Sequence, residues 1–327
     1  MQVGDEMSFS METKNELSRL IPEDYCCQLA ELSALIRMSG TIQLVGFQKM
    51  NVRITTENAA VARKIIKLLK TCFKIHTELM VRKNRVLKKN NNYMMTINSS
   101  SGANDILQKL GILRKEDEQF SIDYSIPQEL LQKRCCKRAY LRGAFLGAGS
   151  VSAPEKTYHL ELVTSSEEHS EDLKNLINEF DLGAKIVQRK NSYVVYLKEG
   201  DQIVDLLNII GAHNALLNLE NIRIVKQVRN NVNRIVNCET ANLSKIVNAS
   251  IRQIENIEYI EKTHGFKVLP DGLREIAELR LEFKEASLKE LGQMLTPPVG
   301  KSGVNHRLRK IEKIAEKIKQ KEGDVKV

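Results

Sequence analysis

Tryptophan is absent from the 327 residues, and aromatic side chains make up only 5% of them. The core must therefore be aliphatic. No run of about 18 apolar residues occurs, which argues against a transmembrane helix. Six prolines and 17 glycines are too few for a fibrous or low-complexity chain. With 42% hydrophobic and 28% charged residues, the chain is not a disordered tail either. None of the six cysteines (Cys26, Cys27, Cys72, Cys135, Cys136, Cys238) stands in CxxC spacing. The lack of that spacing argues against a zinc site, and adjacent cysteines rarely bridge each other. Met1–Ser10 is mixed polar, without the apolar stretch of a secretion signal. The cysteines accordingly read as reduced thiols buried on helices in a cytoplasmic protein. His76, His159, His169, His213, His264 and His306 form no HxxxH pattern, and neither a Walker A nor a GxGxxG sequence occurs. No metal, no cofactor, no small-molecule substrate and no membrane partner is expected.

What the chain has is length for two or three domains and a net charge of +9. Residues 221–327 hold 21 Lys and Arg against 14 Asp and Glu, so most of the excess lies in the last third. A basic terminal domain on a near-neutral body suits a polyanion, most simply double-stranded DNA. A solvated helical surface has the same composition.

An internal repeat organises the first two thirds. Cys26-Cys27 and Gly40 recur as Cys135-Cys136 and Gly149 at an offset of 109, and Val52–Leu69 matches Leu160–Ile177 at 108. Phe73–Lys83 pairs with Phe180–Lys190, Tyr93–Ile97 with Tyr193–Leu197, and Ile106–Ile112 with Ile203–Ile209. Matching order through a whole unit is stronger than any single match. The first unit predicts helix 24–38, strands 41–47 and 51–56, helix 58–72 capped by Asn58, strands 75–82 and 93–97, and helix 103–111. The second predicts helix 134–147, strands 150–153 and 157–164, helix 167–180 capped by Ser166, strands 184–190 and 192–197, and helix 201–210. Hairpins separated by single helices give an α+β class with antiparallel sheets. Ala30, Ala34, Gly143 and Gly147 would let the two leading helices approach closely about a pseudo-two-fold axis.

The second leading helix ends Leu141-Arg-Gly-Ala-Phe-Leu-Gly-Ala-Gly-Ser150. It resembles the LAGLIDADG motif of homing endonucleases, and Leu32–Thr41 is a weaker counterpart. In that family the last acid of each motif helix binds the divalent metal that cleaves DNA. Here those positions are Ser39 and Ala148, and neither can supply the hard anionic oxygen that Mg²⁺ needs. The chain as a whole is similar to the bacterial WhiA regulators. Met7-Ser-Phe-Ser, Lys14-Asn-Glu-Leu17, Cys135–Ser150, Asn233-Arg234, Asn237-Cys238, Ala241-Asn242 and Ser287–Gly292 carry this likeness. The resemblance implies a tandem LAGLIDADG-like αββαββα body followed by an all-α helix-turn-helix domain. It also implies DNA binding in sporulation, transcription regulation, cell division and chromosome segregation, at the nucleoid.

Read on its own, 221–264 is helical and Asn-rich, and 273–283 is a helix with Leu273, Ile276, Ala277, Leu279 and Phe283 on one face. Ser287 and Glu290 form a capping box that opens helix 288–295. Thr296-Pro-Pro-Val-Gly-Lys-Ser302 breaks it, and Ser302 caps a second helix from Gly303 to about Lys319 with Val304, Leu308 and Ile311 inward. On this reading Lys301 meets phosphate, Asn305 can offer paired groups to adenine, and Arg307 or Arg309 can fork onto guanine. Ser287, Lys289, Ser302, His306, Lys310 and Lys313 complete the expected DNA-binding set. A basic helix that merely closes a bundle would look alike. Arg82, Lys83, Arg85, Lys88 and Lys89 are expected as secondary DNA contacts, with a solvated hairpin tip equally compatible.

The expected organisation is therefore an N-terminal segment 1–23, repeat 1 at 24–115, repeat 2 at 116–220, and a helical domain 221–327 with its helix-turn-helix at about 287–319. The expected function is DNA binding without nuclease activity. The alternatives are an active LAGLIDADG-type homing endonuclease, or a scaffold for cell-division proteins with incidental DNA contact.

Overall fold

A computed structural model of the chain describes residues 7–46, 48–83, 91–116 and 119–324. The chain divides into two units, Met1–Lys226 and Gln227–Val327. The first unit opens with α1 (Phe9–Arg19), a helix within the N-terminal segment for which the sequence predicts no element. Its signals are local: the Ser8 hydroxyl accepts from the Met11 N–H, and Phe9, Thr13 and Leu17, four apart, are buried.

The first repeat follows as α2 (Tyr25–Ser39), β1 (Gly40–Gly46), β2 (Lys49–Thr56), α3 (Ala59–Phe73), β3 (Glu78–Lys83), β4 (Asn91–Ile97) and α4 (Ala103–Lys109). A hairpin absent from the sequence expectation, β5 (Leu113–Glu116) and β6 (Gln119–Ile122), comes next. The second repeat is α5 (Arg134–Ala148), β7 (Gly149–Val151), β8 (Leu160–Thr164), α6 (Glu167–Asn178), β9 (Lys185–Arg189), β10 (Ser192–Leu197) and α7 (Gly200–Ile210). The two sheets run β1-β2-β4-β3 and β7-β8-β10-β9, antiparallel throughout, so one topology occurs twice. Asn58 and Ser166 cap α3 and α6 as expected, accepting from Ala60 and Val61 and from His169.

Strand alternation puts Met50, Val52 and Ile54 of β2, and Leu160 and Leu162 of β8, into one aliphatic core with the helices. At its centre α2 and α5 run parallel and nearly touch. A Cβ on Gly143 would lie 2.3 Å from the Glu31 carbonyl, and one on Gly147 would lie 2.6 Å from Met38 Cβ. Glycine is therefore required at both positions.

One buried charge cluster ties this centre together. Glu31 on α2 accepts from Arg142 Nε and Nη2 on α5 at 3.1 and 3.0 Å and pairs with the Lys64 ammonium from α3. Lys64 also donates to the Leu17 and Leu20 carbonyls at the end of α1, at 3.0 and 2.6 Å. Burial draws the Lys64 ammonium down to about 8 while Glu31 pulls it back up. Such a cluster fixes which elements meet more than it adds stability, because its desolvation offsets its attraction.

The long helix α8 (His213–His264) begins in the first unit, where Glu16 accepts from the Asn214 and Ala215 N–H groups, and ends in the second. Its apolar residues from Ile224 to Ile251 are exposed, while Ile257 and Ile260 are buried in the second unit. That unit continues with α9 (Asp271–Glu282), α10 (Leu288–Met294) and α11 (Lys301–Asp324). Its own core joins Ile257, Ile260, Leu273, Ile276, Leu291, Val304, Leu308 and Ile311.

Candidate nucleic-acid interface

The second unit sets α10 and α11 around a tight turn. The capping box forms as the sequence predicts: Ser287 N–H donates to Glu290 Oε2 at 2.7 Å, and Glu290 N–H donates to Ser287 Oγ at 3.3 Å. These bonds hold the Glu290 carboxyl below its ordinary range. A carboxylate therefore already occupies the N-terminus of α10, which separates Ser287 from the other expected DNA contacts. The turn closes where Val299 N–H donates to the Gly292 carbonyl at 2.8 Å, and a Cβ on Gly292 would lie 2.0 Å from the Val299 carbonyl.

Two expectations need correction here. Ser302 does not cap α11. The helix starts at Lys301, and Val304 N–H already bonds the Gly300 carbonyl at 3.1 Å, so Ser302 sits inside the first turn with its side chain exposed. Phe283 is not on the packed face of α9. It lies past the helix end and is 39% exposed. Arg280 takes that row instead, buried and donating to the Ala286 carbonyl at 2.7 Å. Its long side chain closes the α9–α10 connection, which a hydrophobic-periodicity reading does not register.

Along α11, Val304, Leu308, Ile311 and Ala315 are buried. At 100° per residue, the opposite face carries Ser302, His306, Arg309 and Lys313, all exposed. Lys310, also exposed, flanks this row; Lys301 is exposed at the first residue of the helix, and Lys289 is exposed on α10. Asn305 and Arg307 are half-buried and sit on opposite flanks of the core stripe. Arg307 turns toward α9, where Nη1 donates to the Gly272 carbonyl at 3.3 Å. The structure thus aligns His306, Arg309 and Lys313, and it does not place Arg307 with them. Lys317, one turn further on, extends the row and was missed, although its spacing from Lys313 gives it away.

The body offers a different surface. Ser39 and Ala148 are the last residues of the parallel helices α2 and α5, so they come to the same end of the pair. Ser39 Oγ donates to the Leu35 carbonyl. Three acids of the body, Glu31, Asp24 and Glu155, do not take the place of the missing ligands. Glu31 is consumed by Lys64 and Arg142, Asp24 is at the far end of α2, and Glu155 lies in the β7–β8 loop. The outward face of the second sheet carries Glu161, which pairs with His159 and Arg189 at 3.2 and 3.3 Å and accepts from Ser150 Oγ. On the first sheet Arg82 of β3 is exposed, and Lys83 ends that strand. Arg85, Lys88 and Lys89 lie outside the described residues. The two edge strands of that sheet expose Leu44 and Val45 on β1 and Leu79, Met80 and Val81 on β3. Among the described residues, no helix is long and apolar enough to cross a membrane.

A duplicated two-sheet body about a glycine-lined helix pair, followed by a helix-turn-helix unit, defines a LAGLIDADG-type protein with a DNA-binding module. Three family descriptions match in that order: the WhiA N-terminal LAGLIDADG-like domain over residues 25–113, the WhiA LAGLIDADG-like domain over 137–229, and the WhiA C-terminal HTH domain over 232–315. The chain is 66% identical to the "Probable cell division protein WhiA" of Alkaliphilus oremlandii, covering 98% of this chain and all of that one. It is 57% identical to the Clostridium botulinum protein of the same name, covering 96% of this chain and 99% of that one. Full-length WhiA from Thermotoga maritima is similar in structure, with a TM-score of 0.58 and 26% identity, covering 95% of this chain and 99% of that one. The chain belongs to the WhiA family.

Proposed function

We propose that this protein reads double-stranded DNA through the outward row of α11 and does not cut it. It acts as a regulator in cell division and chromosome segregation, at the nucleoid in the cytoplasm. The observation that carries the reading is the division of α11 into a buried aliphatic face and an exposed face bearing His306, Arg309 and Lys313. A helix held rigidly on one side and basic on the other can enter a major groove. In this reading Arg309 contacts a base edge, Lys301, Lys310 and Lys313 contact phosphates, and Ser302, Asn305 and Lys289 lie along the groove walls.

Two features support the absence of nuclease chemistry. The motif positions are Ser39 and Ala148, and Glu161 is already paired with Arg189 and hydrogen-bonded to His159. The exposed apolar residues of the first sheet favour a second role for the body, as a contact surface for a division or regulatory protein. The test is selection of bound sequences from random duplexes by the full chain, followed by anisotropy titration of the selected site with wild type and Arg309→Ala. Loss of selectivity on substitution supports the reading. An unchanged selected sequence overturns it.

A further inference from the structure

The cysteine pairs, 109 residues apart in sequence, converge at the N-terminal ends of α2 and α5. Cys27 Sγ and Cys136 Sγ are 3.8 Å apart and both residues are buried. The sulfurs of Cys26, Cys27 and Cys136 all lie within 4.8 Å of one another, as do the side-chain donors of Asp24, Cys27 and Cys135. CxxC spacing tests only for ligands close in sequence. Here the pseudo-two-fold axis joins two CC pairs, each from the first turn of a helix.

We propose that these residues form a thiolate site for one soft transition-metal ion of the zinc class, which clamps the two repeats at this end of their shared helix pair. Sulfurs 2.3 Å from a tetrahedral zinc stand about 3.8 Å apart along each edge, which is the Cys27–Cys136 separation. Cys26 is the third thiolate of the triad with Cys27 and Cys136, and Cys135 stands within 4.8 Å of Cys27 in a second triad that shares it. Asp24 adds an independent sign. It occupies the N-cap of α2, yet its carboxylate makes no capping hydrogen bond and instead lies within 4.8 Å of the Cys27 and Cys135 sulfurs, in the triad that shares Cys27 with the first. Two helix N-termini meet here and favour negative charge.

Without a cation, burial pushes the Cys27 and Cys136 thiols up, Cys136 to about 11, so they hold their protons. A bound ion replaces each S–H with a metal–sulfur bond, and the protons leave to solvent with no change of oxidation state. Soft thiolates select zinc or copper(I) over magnesium. A disulfide would instead require Cys27 and Cys136 to close to about 2.05 Å, and it would leave Cys26, Cys135 and Asp24 without a role.

The test uses the reduced full chain, stripped of metal and titrated with Co²⁺ alone. We expect one equivalent to bind, with tetrahedral visible bands, a sulfur-to-cobalt charge-transfer band and proton release. Zn²⁺ should displace the Co²⁺ and raise the thermal midpoint. Cys27→Ser with Cys136→Ser should abolish the charge-transfer band, while Cys72→Ser and Cys238→Ser retain it. If the buried variants fail to fold by circular dichroism, the more exposed Cys26→Ser and Cys135→Ser decide. Each should weaken binding by at least the roughly 10–100-fold that loss of an outer-shell partner costs. Absence of the charge-transfer band in reduced wild type, or its persistence in folded cysteine variants, overturns the proposal. So does a Cys27–Cys136 disulfide in protein that takes up no metal after reduction.

Discussion

His169 makes the body sensitive to acid through its two neutral partners. It is buried, with Nε2 2.9 Å from Tyr140 Oη and Nδ1 3.2 Å from Thr164 Oγ1. Burial, reinforced by Arg37, holds its pKa down to about 3, against 6.5 for an unperturbed imidazole. The folded pKa is below the unfolded one, so this contribution to stability is complete above about 6.5 and is lost as pH falls toward 3. The thermal midpoint should fall between pH 7 and pH 4, and His169→Gln should flatten that fall; an equally steep profile in the variant would refute the assignment. In the second unit Leu308 is buried between α9 and α10, so Leu308→Ala should lower unfolding free energy by about 2–5 kcal/mol in a urea titration. Arg309→Ala should leave stability intact and cost about 1–3 kcal/mol on the preferred duplex, with much less loss on random DNA. Arg307→Ala should have the smaller effect on selectivity, because its guanidinium faces Gly272. A reversed order of the two arginines would rotate the reading face. Leu308, the Ser287–Glu290 box and the Asn58 and Ser166 caps were legible in sequence because each depends on neighbours within one turn or two. The orientation of Arg307 and the burial of Arg280 depend on residues about 35 and 6 positions away, and no local pattern encodes them.

At the scale of elements, duplication made the body readable, since each ambiguous stretch had a second copy to settle it. The strands and helices of both repeats fall close to their expected limits, and the tandem antiparallel sheets follow. What the repeat does not contain was missed. The helix α1 has no expected counterpart, and β5 and β6 are four residues each, too short for alternation to register. The close approach of α2 and α5 was legible as Ala30, Ala34, Gly143 and Gly147, but the buried Glu31–Lys64–Arg142 cluster beside it was not. Charged residues read as surface until their partners are seen. A methyl group at position 143 would meet the Glu31 carbonyl at 2.3 Å, backbone that cannot yield. Gly143→Ala should therefore force the helices apart and cost about 1–3 kcal/mol or more. Gly300→Ala, in open space, is the control and should leave the body's thermal midpoint unchanged. Equal midpoints for both variants would show that the helix pair tolerates separation.

At the scale of the whole molecule, charge and core divide differently along the chain. The two hydrophobic clusters share no residue, so each unit buries its own core. The positive excess lies mainly after residue 220, and within Lys301–Lys321 eight basic side chains face two acidic ones. The outward faces of the body instead carry Glu161 in its ion pairs and exposed aliphatic side chains. Phosphate neutralisation dominates non-specific affinity, so removal of residues 227–327 should abolish most DNA binding while the body keeps its cooperative melt. Removing a single phosphate-neutralising lysine should likewise change the salt dependence. Lys301→Ala and Lys310→Ala should weaken selected and random duplexes alike and reduce the slope of log affinity against log salt by about one unit each. The same division bears on chemistry. Metal-assisted cleavage needs carboxylates at the shared end of α2 and α5, where Ser39 and Ala148 stand. Incubated with its selected duplex and Mg²⁺ or Mn²⁺, the full chain should leave both strands intact over hours. A site-specific cut that Glu161→Gln abolished would reverse the reading, because it would make that carboxylate a metal ligand in spite of its pairing with Arg189 and His159. A cut that survived Glu161→Gln and vanished with Asp24→Asn would instead place the chemistry at the opposite end of the helix pair.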